Sequence, residues 1–484
     1  MKKRDKIIYG SGRFGSSLLL QLVGFLNFYL YFEIFLLDPW LNGVANAIAM
    51  LVIAYSGFHF GYISDKIKTR WGRRKPFILI GSPGLAITFI MLFIPHLFGL
   101  HIVKVLGFTV SGDDITLFIY KTIFISSFNF FYGFLLTPYQ SWLPELTEEH
   151  ERLEVSAYQN LFNVAAAAVS SVITFTFPVA FTGKGMALIP YIVLVCGIIQ
   201  IGGYILPFLA LQEDMEKFVA QPELKKELKV VWENKNYLGW QFAQGLFSIA
   251  FTIIINSMLG FIGNILMFNS FQLLIAAGML VLMTIIMWKT WSDMSKKKSK
   301  HWSLSISLIF FTLVIPLSVF GLVPNEYFGY VYIALLAASI SSWYLFPYAI
   351  IADMAEDDEL RTGEKRAGMY TGFNSIPLNV FQAVAMLVSG MIFSVLPSLG
   401  YILNDANKET IVLLSGYINL PSEDQIVFAL SYLLGNFSLV LPNPVSSGYI
   451  WFGPITVIFM ILGLLVFRTV KIDFNLEERR KSKS

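Results

Sequence analysis

The chain is poor in charge. Asp, Glu, Lys and Arg make up 14% of its 484 residues, against about 25% in an ordinary soluble domain. Beside 56% hydrophobic residues and a mean hydropathy of +0.64, that deficit excludes a soluble enzyme and a disordered chain. Cysteine is almost absent: Cys196 stands alone inside an apolar run, which leaves no intrachain disulfide and no cysteine-based metal cluster. The polar linkers that separate soluble domains are missing too. The charges that remain sit in short segments between long apolar runs.

Those runs number twelve: Ser17–Leu37, Leu41–Ile63, Pro76–Phe98, Leu117–Gln140, Tyr158–Phe181, Met186–Leu211, Leu238–Ile262, Leu266–Trp288, Trp302–Val323, Phe328–Ile350, Ala367–Leu396 and Tyr449–Phe467. Most reach the roughly 20 residues that cross a hydrocarbon core. A backbone in lipid must satisfy its own hydrogen bonds, so each is read as a helix. The first run passes into the second without a small-residue cleavage site, so helix 1 is read as retained. The expected fold is all-α and integral to the membrane, with residues 1–211 as one six-helix bundle, 212–237 as a central loop and 238–484 as a second bundle. Of the 35 Lys and Arg residues, 30 fall on the side holding both termini, which predicts cytoplasmic termini in a plasma membrane protein. Lys104, Lys121, Lys184 and Lys408 are assigned to the outside or to outer helix ends, and Arg13 to the entrance of helix 1. The apolar stretch Ile426–Leu441 is read as an interfacial or re-entrant part of a long outer loop over 397–448.

The inner segments repeat in charge. Loop 2–3 is basic (Lys66, Lys68, Arg70, Arg73, Arg74, Lys75) and so is loop 8–9 (Lys289, Lys296, Lys297, Lys298, Lys300). Loop 4–5 is acidic (Glu145, Glu148, Glu149, Glu151, Glu154), as is loop 10–11 (Asp353, Glu356, Asp357, Asp358, Glu359, Glu364). Two six-helix repeats are a transporter architecture. Opposite charges on the two halves suggest an inner latch, although exposed pairs are each worth only about 0–1 kcal/mol.

Loop 2–3 reads Gly61-x-x-x-Asp65-Lys66-x-x-Thr69-Arg70-Trp71-Gly72-Arg73-Arg74-Lys75-Pro76. It resembles the loop signature of the major facilitator superfamily, in the spacing of the glycoside–pentoside–hexuronide:cation symporters and sucrose transporters. Helix 1 adds Tyr9-Gly10-x-Gly12-x-x-Gly15, the exit of helix 4 adds Pro138-x-x-x-x-Leu143-Pro144-Glu145-Leu146-Thr147, and loop 10–11 adds Ala352-Asp353-x-x-Glu356-x-x-Glu359-x-Arg361-Thr362-Gly363-x-x-Arg366. The resemblance implies a sugar or glycoside transporter working by alternating access, with a small-molecule substrate, no cofactor, no metal, no nucleic acid and a monomeric state. It places Asp65, Arg70, Arg73, Arg74, Glu145, Arg152, Asp353, Glu356, Glu359 and Arg366 at an inner gate. From the residues alone, Gly61 allows close packing, Asp65 ends helix 2 where it could face a helix N-terminus, and Pro76 starts helix 3 where a missing N–H costs little.

The sequence also departs from those relatives. The paired acids that members resembling melibiose permease carry on helix 2 fall on Ile53 and Gly57, the helix-1 acid on Ser17, the helix-4 acid on Leu136 and the helix-11 lysine on Asn379. Sodium needs several oxygen ligands, which Ile and Gly side chains do not supply, so coupling is expected to be to protons or absent. Neutral polar stripes remain: Ser17 and Gln21 on helix 1, Gln241, Gln244, Ser248, Thr252 and Asn256 on helix 7, and Asn379 and Gln382 on helix 11. Such groups suit a polyol and equally serve as helix–helix glue. Tyr132, Tyr139, Trp343 and Tyr344 are candidates for stacking on a sugar. Ionisable groups at membrane depth point to function, which makes Glu33 a candidate for gating or proton coupling and His59 for proton coupling. Rival readings are a lipid or lysolipid transporter on the same scaffold, a polytopic membrane enzyme and a non-transporting sensor.

Overall fold

The computed structural model describes residues 2–67, 69–99, 103–105, 108–110, 114–147, 151–180, 188–213, 232–322, 326–363, 370, 372–394 and 446–471. They form twelve long helices: α1 Lys3–Tyr29, α2 Pro39–Lys66, α3 Lys75–Phe93, α4 Asp114–Leu146, α5 Arg152–Ala180, α6 Ile189–Ala210, α7 Lys235–Gly260, α8 Ser270–Lys297, α9 Lys300–Val314, α10 Glu326–Thr362, α11 Gly372–Ser394 and α12 Ser446–Phe467. Ten are long and apolar enough to cross a membrane. Of the other two, α12 contains the shorter apolar stretch Trp451–Phe467, and α5 interleaves its apolar residues with Gln159, Asn160, Asn163, Ser170 and Ser171. A short antiparallel hairpin, β1 Val103–Val105 with β2 Phe108–Val110, lies between α3 and α4. The protein is an all-α membrane protein. The predicted piece Ile426–Leu441 lies outside the described residues.

Within the first half α1 packs on α5 and α6, α2 on α4, and α3 on α4 and α6; in the second, α7 packs on α12, and α8 and α9 on α10. Between the halves α1 meets α7 and α5 meets α8. The glycine motif of α1 explains its close contacts. A Cβ on Gly10 would lie 2.9 Å from Tyr158 Cβ on α5, one on Gly12 would meet the Tyr139 ring of α4, and one on Gly15 would lie 2.6 Å from Gln200 Cα on α6. Interdigitation at small residues replaces the hydrophobic driving force that lipid removes. Tyr9 and Tyr139 then bolt α1 to α4: their rings stack at 4.7 Å, and each hydroxyl donates to the other residue's backbone carbonyl, at 2.8 and 2.5 Å.

The internal repeat has a fixed register. Both α1 and α7 end in a five-residue π-turn, Leu30–Ile34 and Phe261–Ile265. Each turn is followed by a non-glycine residue in the left-handed region, Leu36 at φ 55° and Met267 at φ 52°. The amide of Leu37 donates to the carbonyl of Tyr31 at 2.8 Å, and that of Phe268 to Ile262 at 3.3 Å. Side-chain caps then start helices of 28 residues each: Asp38 accepts from Leu41 N before α2, and Asn269 from Gln272 N before α8. Every one of these pairs is separated by 231 positions, the separation of Glu33 and Asn264.

Several helices outrun their predicted spans. Hydropathy marks only the part of a helix that suits lipid, and the backbone ladder continues beyond it. Helix 1 starts at Lys3, so Arg13 lies three turns inside it and not at its entrance. The basic residues Lys289, Lys296 and Lys297 belong to α8, and the acids from Asp353 to Glu359 to α10, so neither group is a loop. Lys121, assigned from sequence to an outer helix end, is wholly buried in the first half. The hydropathy of a segment gives depth but not the direction a side chain points.

Loop 2–3 is organised by a residue the motif does not contain. The carboxylate of Glu213, three residues past α6, accepts from the backbone amides of Arg73, Arg74 (2.9 Å) and Lys75 (2.7 Å). These are the free amides at the start of α3, where a negative charge is favoured. Gly72 sits at φ +114°, and a Cβ there would overlap the Glu213 carboxylate, so the motif glycine is required twice over. Arg74 reaches back to Ser64 Oγ at 2.5 Å. Gly72→Ala is expected to cost about 1–3 kcal/mol, read as a lower melting temperature in detergent, and Glu213→Gln about 1 kcal/mol. A Gly72→Ala protein as stable as the parent would refute this account of the loop.

Candidate functional site

We call the end of the molecule bearing residues 69–75, rich in basic residues, the inner end and the opposite end the outer. Among the described residues, a cluster of side-chain contacts joins the halves at the outer end. The Glu33 carboxylate, in the π-turn after α1, accepts from Asn264 Nδ2 at 3.1 Å and from the Tyr449 hydroxyl at 2.6 Å. Glu33 and Asn264 occupy equivalent places in the two repeats, so this bond crosses the pseudo-two-fold axis. Aromatic rings close around it: Phe32 lies 5.2 Å from Phe393, and Phe393 4.6 Å from Tyr449. Next to them α2 crosses α11, where a Cβ on Gly43 would lie 2.6 Å from the carbonyl of Met386, and Ala47 packs on Ala383 and Met386. This is an outer seal of one carboxylate, aromatic rings and two facing glycines, Gly43 and Gly390.

At the inner end, ion pairs form within each half. Lys6 on α1 pairs with Glu151 (3.1 Å) and Glu154 (2.6 Å) at the start of α5. Lys300 on α9 pairs with Asp353 on α10 through both oxygens, at 2.8 and 2.6 Å. Arg361 pairs with Asp357 one turn back on α10, at 3.0 Å. Arg70 is exposed and lies over the Trp71 ring, Arg73 and Arg74 are buried, and Glu356 and Glu359 lie on the last turns of α10. The side chains of Asp65, Glu145 and Arg152, and the whole of Arg366, lie outside the described residues.

The polar stripes divide by what their atoms already do. Gln21 accepts from Ser170 Oγ of α5 at 2.9 Å. Ser248 donates to the Gly245 carbonyl, Asn379 to the Ser375 carbonyl, and Asn256 to Ser389 Oγ and Met386 Sδ on α11. The Gln21 and Asn256 bonds join neighbouring helices, while Ser248 and Asn379 bond back to the carbonyls of their own helices. Gln241 and Gln244, 4% and 3% exposed, differ: Gln241 Nε2 and Gln244 Oε1 are buried with no hydrogen-bond partner. Gln159 Nε2 on α5 is in the same condition. Buried polar atoms are nearly always bonded, which sets these three apart from the rest of the stripes. Ser17 and Tyr132 are buried in the first half, and Gln382 is half-buried on α11 beside Phe381, which packs on Gly245 of α7. Tyr139 is locked in the bolt with Tyr9, and Trp343 lies against Phe251 at 4.7 Å, while the Tyr344 side chain lies outside the described residues. Ile53 packs on the apolar core, and Gly57 faces Thr137 of α4. His59 points the other way, stacked at 5.0 Å on the exposed Tyr55.

The family profile for MFS/sugar transport proteins matches residues 8–434. The chain belongs to this family. Members of the MFS/sugar transport family are membrane transporters. A protein of Synechocystis named as an uncharacterized symporter is 24% identical over 229 residues, 46% of this chain and 40% of its own length. A protein of Escherichia coli named as a glycoside/cation symporter, YagG, is 24% identical over 240 residues, 48% of either chain. The match thus spans about half the length of these relatives or less. Among solved structures, a bacterial homologue of the human lysosomal transporter Spinster, inward-facing and occupied, has a TM-score of 0.65 at 11% identity, covering 97% of this chain and 96% of its own. The xylose transporter XylE of E. coli, inward open, has a TM-score of 0.59 at 11% identity, covering 99% and 98%. These share the fold.

Sequence reasoning missed Asn264 and Tyr449 as partners of Glu33, and it missed Glu213. The 231-residue register is the signal that finds Asn264: sliding one half over the other brings Glu33 onto it. Tyr449→Phe or Asn264→Ala removes a bond to a buried carboxylate worth about 1–3 kcal/mol. The expected result is about a five- to 150-fold shift toward the outward-open form, read by thiol labelling of Cys at position 47. Unchanged labelling would mean that the seal does not hold the halves.

Proposed function

We propose that the protein carries a sugar or glycoside across the plasma membrane by alternating access, as a monomer with cytoplasmic termini, and without sodium coupling. The observation that supports this most is the pair of buried, unfilled amide atoms on Gln241 and Gln244, within a polar stripe on α7 that bears no charge. A hydroxyl both donates and accepts, so a polyol satisfies a free N–H and a free C=O together. The names of the family and of the E. coli relative agree with a sugar-like cargo. Ile53 packing on the apolar core and Gly57 against Thr137 leave no carboxylate where related symporters bind a cation.

Uptake of a sugar panel into proteoliposomes, with imposed proton and sodium gradients, tests this reading. The expected result is uptake of at least one sugar or glycoside that ignores the sodium gradient. Gln244→Ala is expected to lower uptake efficiency about five- to 150-fold, the range for about 1–3 kcal/mol, with the melting temperature retained. His59→Gln is expected to transport like the parent. Sodium-driven accumulation would overturn the coupling part, and stabilisation by lysolipids but by no sugar would replace the cargo.

A further inference from the structure

Lys121 is completely buried in the middle of the first half. It lies two turns, about 10 Å, below the outer end of α4. Its ammonium group donates to Asn42 Oδ1 of α2 and lies 4.6 Å from the centre of the Tyr31 ring, in the π-turn after α1. No carboxylate among the described residues pairs with it. The ionisable groups on the elements packed around it are otherwise engaged or further out. Tyr31 donates to the Leu92 carbonyl and Tyr120 to the Met91 carbonyl, both on α3. Glu33 is held by Asn264 and Tyr449, and Asp38 caps α2. His96 stacks on Phe35, which in turn packs on Tyr31, and Asp114 begins α4 two turns above.

Behind Lys121 runs a file of buried amides. Asn46 donates to the Asn42 carbonyl at 3.0 Å, and Asn27 Nδ2 donates to Asn46 Oδ1 at 2.5 Å. Asn27 Oδ1 is left without a partner, and Asn27 lies on α1 between Glu33 and the stripe residue Gln21. The file therefore leads from the lysine toward the middle of the bundle.

A full charge enclosed by a ring and one amide oxygen is costly inside a membrane protein, and such groups mark proton or ion paths. A neutral amine keeps the same bond to Asn42, because two N–H groups remain. Tyr31 and Asn42, which touch the lysine, and Asn46, the next amide in the file, are sequence neighbours of seal residues. Tyr31 is two residues from Glu33, Asn42 adjoins Gly43 at the α2–α11 crossing, and Asn46 adjoins Ala47. From this juxtaposition we infer that Lys121 is the proton-binding site of the transporter: it takes one proton from outside water when the seal is open, and gives it to water between the halves when the seal is shut. The neighbouring amides guide that exchange, and neither His59 nor the lost acids of α2 take part. The inference rests on the transport reading above and names its coupling ion.

Two measurements test it. In a Cys196→Ala background, labelling of the Ala47→Cys thiol reports opening of the seal without any cargo. Labelling is expected to rise several-fold from alkaline to acid medium. Lys121→Met, never charged, is expected to stay low throughout, and Lys121→Arg, always charged, to stay high. Parent labelling that ignores pH, or Lys121→Met labelling that still follows it, overturns the inference. In proteoliposomes, an inward proton gradient is expected to drive accumulation by the parent, while Lys121→Met only equilibrates cargo across the membrane. Accumulation by Lys121→Met equal to the parent's also overturns it. A parent that moves no sugar under any gradient, yet shows the expected labelling, sinks the cargo and leaves the proton site standing.

Discussion

One carboxylate at the outer end joins the two halves. Glu33 is shared between Asn264, its own counterpart in the repeat, and Tyr449, and the rings of Phe32 and Phe393 shield it. Such a bond is weak in water and considerably stronger in a site that water does not enter. Its strength therefore depends on the seal staying dry, and the seal stays dry because Gly43 and Gly390 let α2 and α11 close against each other. Each part requires the other, so the seal opens as a unit.

The halves themselves are built to move without deforming. In the first, α1 touches three helices at its glycines and is bolted to α4 by two reciprocal tyrosine bonds, while Glu213 ties the exit of α6 to the start of α3. In the second, Asn236 and Lys471 exchange two bonds at 2.7 Å that pin the inner ends of α7 and α12, and the Lys300–Asp353 pair holds α9 to α10. Stiff halves with a breakable seam suit alternating access, because strain is then concentrated at the seam.

Most of the helix spans could be read from hydropathy, since lipid imposes it on composition. The motif glycines were legible as contacts, though not which helix each one meets. What escaped was information about direction. Lys121 was assigned to an outer helix end and is wholly buried instead, because a window of hydropathy is blind to which way a side chain points. Glu213 escaped because it acts on amides some 140 positions away. The register of the repeat escaped because little sequence identity survives in it; what survives is a backbone shape, the π-turn with its left-handed residue, which several residue types can adopt.

The placement of the seal has a mechanical consequence. The 27 residues of α1 make a rod about 40 Å long, pivoting near its outer tip. About one degree of tilt there swings the far tip by about 0.7 Å. A rotation of under about ten degrees is therefore enough to part the inner ends by the width of a sugar ring. With the fulcrum at one end of the lever, small changes in a few bonds around Glu33 are geared into a wide opening at the other.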